Sequence, residues 1–130
     1  MVLTKQPDLS ISYRRMADLP TLIRALCYAH DAWVVGSGAA YLLNLKNDAP
    51  RDWDILVPFW TWGIACKLIP QGSVTNSHGG IKLISDGIEV DVWAGDVGWF
   101  LGQVPKLPAY AVHPRTMRFL VAGNDVLRDK

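Results

Sequence analysis

Cysteine is scarce in this 130-residue chain: Cys27 stands in LIRALCYAH and Cys66 in WGIACKLI, without metal-ligand spacing. Both thiols are expected to be buried and free, and no chemistry falls to them. Long hydrophobic runs are missing as well. No stretch approaches the length of a transmembrane helix, and the opening MVLTKQPDLSISYRR has no apolar signal-peptide core, so a cytoplasmic protein without a membrane partner is expected. Nor is one sign of charge in excess. Thirteen basic side chains stand against 12 acidic ones, which leaves no footprint for tight nonspecific nucleic-acid binding. Nothing repeats, no segment is low in complexity, and no linker divides the chain. The spacing suggests neither a Ser-His-Asp nor a Cys-His arrangement, so nucleophilic hydrolase chemistry has little support.

What is present is a balanced globular composition, half hydrophobic and 19% charged. The length fits one domain over residues 1–130 with one active centre at most. After a polar N-terminal tail, Leu19, Leu22, Ile23, Leu26 and Cys27 recur at helical spacing, with Asp18 as a candidate N-cap. AWVV reads as a short buried strand that Gly36-Ser37-Gly38 breaks, and AAYLLNL continues as a helix ending in the polar KNDAP loop. DWDILV is the next strand, and FWTWGIACKLI an apolar helix between Pro58 and Pro70. GGIKLISDGIEVDVW gives the clearest local signal, because Asp86-Gly87 is the dipeptide favoured in a type I′ hairpin turn. A two-residue loop sets Ser85 against Ile88, Ile84 against Glu89, Leu83 against Val90 and Lys82 against Asp91. One face then carries Ile81, Leu83, Ile88, Val90 and Val92 as core; the other carries Lys82, Glu89 and Asp91 around Ile84. Beyond the hairpin, GDVGWFLGQ is expected as a short helix, PAYAV as a short strand, and PRTMRFLV as a terminal helix with Pro114 in its first turn. The whole predicts an α+β (mixed α/β) domain around a small mixed sheet with flanking helices.

Carboxylates are the chemistry-bearing feature. In RDWDILV, strand alternation sends Asp52 and Asp54 to one face and Trp53, Ile55 and Val57 to the other. Two like charges on one face repel unless a cation, a basic side chain or water relieves them. A strand that ends in Gly36-Ser37 and opens directly into a helix leaves unpaired backbone N–H groups and the positive end of a helix dipole for an anion. A phosphate cradle followed by Asp52, Asp54 and then Asp91 on a later strand suits magnesium-dependent phosphoryl chemistry, since hard carboxylate oxygens favour Mg²⁺.

VVGSGAAYLLNL, then RDWDILV, then IEVDVW resembles the nucleotidyltransferases of the DNA polymerase β superfamily, over about residues 32–93. Their pattern is apolar-Gly-[Gly/Ser] at a helix start, Asp-apolar-[Asp/Glu]-apolar on a strand, and a third acidic residue among apolar ones on a later strand. The chain closely resembles the tRNA nucleotidyltransferase type, with Pro50-Arg51-Asp52-Trp53-Asp54 in the place of its Pro-x-Asp-x-Asp stretch. The resemblance implies a nucleotidyltransferase fold that moves a nucleoside monophosphate from an NTP to a hydroxyl. It implies Mg²⁺ (or Mn²⁺) on Asp52, Asp54 and Asp91, with Asp91 helping to deprotonate the acceptor and Gly36 and Ser37 holding the triphosphate. The acceptor stays open among an RNA end, a protein side chain and a small molecule. No separate helical acceptor domain is expected, so a homodimer or a helical partner chain would supply the rest of the site.

Each residue also has a plainer reading. Lys82 opposite Asp91 is either an ordinary cross-strand ion pair or a group that steadies Asp91 or reaches a phosphate. Glu89 shares that face and competes with Asp91 as third carboxylate. His78 stands at a strand entrance, His30 near a helix end and His113 before Pro114, where loop, capping and packing roles respectively are expected. Most of the six tryptophans should pack in the core, with Trp60, Trp62 and Trp99 as candidates for a stacking platform or an interface. Arg14-Arg15 and Arg115 with Arg118 are weak basic features. A dinucleotide-binding turn at VVGSGAAY is disfavoured because Tyr41 fills the position where a small residue lets the helix pack closely. The alternative from another class is a catalytically inactive domain that works as a binding or inhibitory module through its tryptophans.

Overall fold

A computed structural model describes residues 9–69, 73–75, 80–103 and 109–122 of the chain. The first element corrects the expectation of a polar tail. Ser12 caps a short helix, α1 (Tyr13–Ala17), its hydroxyl accepting from the Arg15 N–H at 3.2 Å, and Met16 is buried beneath it. Asp18 ends this helix rather than capping the next. The following helix, α2 (Thr21–His30), starts instead behind Pro20, whose fixed φ ends one segment and sets up the other. Ile23, Leu26 and Cys27 form its buried stripe, and Asp31 stops it in the left-handed conformation, φ 57°, with its N–H on the Leu26 carbonyl.

The strand β1 (Trp33–Val35) runs into helix α3 (Gly36–Leu42) with no residue between. After a loop come β2 (Asp52–Val57) and α4 (Phe59–Ala65), which tightens into a 3₁₀ turn at Cys66–Leu68. Then follow β3 (Val74–Thr75), β4 (Ile81–Ser85), β5 (Ile88–Ala94), α5 (Val97–Gly102), β6 (Ala109–His113) and β7 (Arg118–Ala122). The hairpin β4–β5 has the expected register throughout, Lys82 against Asp91 and Ser85 against Ile88. Asp86 and Gly87 both take positive φ, 52° and 76°, as a type I′ turn requires. Asp96 caps α5 by accepting from the Trp99 N–H at 2.9 Å.

PRTMRFLV is not a terminal helix. Residues 114–117 form a turn, with Met117 at φ 57°, and β7 pairs antiparallel with β6, His113 against Arg118. Pro114 suits a turn as well as a helix start, and the run Arg118–Ala122 meets a strand edge that needs hydrogen bonds. That tertiary demand outweighs the helical spacing of Met117, Leu120 and Val121. His113 fixes the turn, its Nδ1 lying 2.7 Å from the Thr116 hydroxyl.

Among the described residues seven strands form one mixed sheet in the order β3-β4-β5-β2-β1-β6-β7. β2 and β5 are parallel; the other neighbours are antiparallel. With its flanking helices the protein is α+β. Alternation gives the sheet two different faces. On one, Val34, Trp53, Ile55, Val57, Val90 and Val92 join buried residues of α2 and α3, such as Leu26 and Leu42, in the larger core. Gly38 packs there so tightly that a Cβ would stand 2.7 Å from the Trp53 ring. On the other, Trp33, Val35, Leu56, Ala111 and Leu120 meet Leu101 of α5 in a second cluster. The α5 cover is partial, and the carboxylates lie on its face. Among the described residues no helix is long and apolar enough to cross a membrane.

Trp33 and Trp53 are buried, whereas Trp60 and Trp99 are exposed. Cys27 is fully buried, which pushes its thiol pKa far up, while Cys66 is half-buried; both are free. His78 lies outside the described residues.

Candidate functional site

Asp52 and Asp54 leave β2 on the partly covered face because Trp53, Ile55 and Val57 are drawn into the larger core. The parallel ladder then sets Asp52 level with Glu89 and Asp54 level with Asp91. On the other flank the antiparallel ladder sets Val35 level with Asp54. Gly36 follows at once, in the left-handed conformation at φ 66°, so close that a Cβ there would stand 3.2 Å from Asp54 Oδ2. Three segments named by the sequence motifs therefore converge on Asp54.

Asp54 records this crowding. Its pKa rises from 3.8 to about 6, first through burial, then through the charges of Asp91 and Asp52, with Lys82 pulling the other way. Lys82 Nζ lies 3.8 Å from Asp91 Oδ2 and 3.8 Å from Glu89 Oε1. One ammonium thus serves two acidic side chains of the neighbouring strand. Asp91 is the better shielded of the two, its side chain 13% exposed against 44% for Glu89. Asp52 stands at the open rim.

Ser37 is exposed at the first turn of α3, and Lys46 Nζ lies 3.4 Å from its hydroxyl. Lys46 is the residue that sequence reasoning passed over, since a lysine in a polar loop carries no local sign of what it will face. The four arginines singled out from the sequence divide differently. Arg15 donates to the Tyr41 carbonyl at 2.5 Å and the Lys46 carbonyl at 2.7 Å, and lies over the Tyr41 ring. Arg115 bonds Asp31 at 2.6 Å, and Arg118 lies over the Trp33 ring. These three arginines thus have structural partners on the chain itself. A cavity of about 270 Å³, walled by Arg15, Tyr41, Pro50, Arg51 and Trp53, opens at the start of β2. Trp53 places it on the side away from the carboxylates.

The set offers hard oxygen donors, the kind that Mg²⁺ and Mn²⁺ take. Among the described residues no three His, Cys, Asp or Glu side chains converge as they stand to hold a metal ion. The ladder sets Asp54 level with Asp91, and their side chains would have to turn toward one another to share an ion. No family model, curated protein or solved structure matches the chain.

Proposed function

We propose that the chain is a metal-dependent nucleotidyltransferase, which joins the α-phosphorus of an NTP to a hydroxyl oxygen and releases pyrophosphate. The observation that carries the reading is the pairing of Asp54 with Asp91 on parallel strands, with Gly36 closing on Asp54 from the other flank. Motif order in the DNA polymerase β superfamily, which the sequence resembles, supports the same reading. Asp52, Asp54 and Asp91 would hold Mg²⁺ or Mn²⁺, with Glu89 at the rim. Such an ion neutralises phosphate charge and polarises the reacting oxygens. Gly36 and Ser37 present backbone and hydroxyl to the triphosphate, while Lys46 and Lys82 bring positive charge to either side of it. The acceptor is an RNA end, a protein side chain or a small molecule, met in the cytoplasm.

A second reading, an inactive domain that binds or inhibits a partner, is favoured by the carboxylates' lack of convergence and by the exposed Trp60 and Trp99. Calorimetric titration of the four ribonucleoside triphosphates with Mg²⁺, on wild type and Asp54→Asn, separates the two. Metal-dependent binding that the variant loses is the expected result. A folded wild type that binds none of the four would exclude the self-contained enzyme.

A further inference from the structure

Helix α4 packs Trp62 against the larger core and carries three other large apolar side chains outward. Phe59 is 69% exposed, Trp60 77% and Ile64 60%, and no charge interrupts the helix from Phe59 to Ala65. Scattered apolar residues on a surface are ordinary; two aromatics and an isoleucine on successive turns of one short helix are not. Against this helix stands the C-terminal end of α2, the Thr61 hydroxyl donating to the His30 carbonyl at 2.8 Å. The outer face of α2 is open and mostly apolar, formed by Thr21, Arg24, Ala25, Tyr28 and Ala29. Arg24 lies along that face. Its guanidinium donates back to the Ala17 and Leu19 carbonyls, which leaves its methylene stem as part of it.

An exposed apolar helix beside an open apolar face on an adjacent helix can supply the two halves of an isologous contact. A twofold axis would seat α4 of each copy on α2 of the other and bury both features at once. We propose that this surface is the interface between two copies of the chain. Phe59, Trp60, Ile64 and Tyr28 together expose on the order of 500 Å² of apolar surface per copy, the larger part of the roughly 800 Å² that each partner contributes to a stable interface. Because α2 and α4 cover the larger core, the pairing leaves the carboxylate face of each copy turned outward, away from its partner.

Sedimentation velocity of the full chain over a wide concentration range tests the proposal. The wild type should sediment as a dimer. Trp60→Asp on α4 and Ala29→Arg on the α2 face should each weaken dimerisation by at least about 100-fold. Gly63→Gln guards against loss of folding as the cause. A Cβ at Gly63 meets nothing within 4 Å, so the substitution suits the isolated helix, yet it lies between Trp60 and Ile64 and should block the approach of a second copy. At concentrations low enough to dissociate wild type, its melting temperature should match or exceed that of wild type. A wild type that stays monomeric at every concentration overturns the proposal, as does a dimer that Trp60→Asp, Ala29→Arg and Gly63→Gln all leave intact.

Discussion

Asp54 is the residue on which the site turns, and its protonation makes the crowding measurable. An ordinary aspartate loses its proton near 3.8, whereas Asp54 holds its own to about 6. Between those values the native chain binds a proton that the unfolded chain has released, so stability falls as pH rises through the interval. Above about 6 the native state carries the whole penalty of a crowded carboxylate. Asp54→Asn removes the charge and keeps the shape. After allowance for partial exposure, the variant should gain about 1–2 kcal/mol at pH 8, or about 3–8 °C in melting temperature. At pH 4, where the native carboxyl is already protonated, most of that gain should vanish. Thermal melts at the two pH values read the difference directly. A variant less stable than wild type at pH 8 would mean that Asp54 is held by favourable partners rather than crowded by like charges.

At the scale of elements, the hairpin β4–β5 and the strands β1 and β2 were legible because their signals are local. Alternation, Asp86-Gly87 and the glycines after Val35 each act over a few residues. Alternation likewise put Asp52 and Asp54 on one face of their strand, whereas the parallel register that sets Asp54 level with Asp91 joins strands far apart in the chain and no local pattern records it. The β6–β7 hairpin was not legible, because what makes Arg118–Ala122 a strand is the free edge of β6, which no local pattern records. His113 ties that hairpin to the rest. Its Nδ1 meets Thr116 at 2.7 Å, its Nε2 meets the Asp31 carbonyl at 3.2 Å, and Trp33 packs on its ring. Burial lowers its pKa below the usual 6.5, although Asp31 partly opposes the shift. A histidine held neutral adds stability above 6.5 that fades as pH falls through the lowered value. His113→Ala should therefore cost about 2 kcal/mol at pH 8, through lost packing and hydrogen bonds. The cost should be smaller at pH 5, where wild type also pays to keep the ring uncharged. Urea denaturation at both pH values gives the two costs, and a larger one at pH 5 would reverse the assignment.

For the whole molecule the decisive fact is that β1 and β2 each serve two cores. Val34 and Ile55 point into the larger core, Val35 and Leu56 into the smaller one beneath α5. Both strands also have hydrogen-bonded neighbours on either side, β6 and β2 for one, β1 and β5 for the other. Opening either strand would expose both clusters, so these amides should exchange only when the whole chain unfolds. The sheet margins differ. Among the described residues β3 pairs with β4 at Ile81 and Lys82 and not at Ile84, and Ile84 is itself exposed. Hydrogen exchange should therefore be at least about 100-fold slower at Val34 and Ile55 than at Ile84. Equal rates at the three amides would show that the sheet opens as a unit from its margins. The expected order has a consequence for the site. Asp54 then rides on the most rigid strand of the molecule, while Lys82 rides on the strand nearer the margin. If Asp52, Asp54 and Asp91 hold a cation as proposed, Lys82 would be the group to give way, while the backbone that aligns the carboxylates would stay in place.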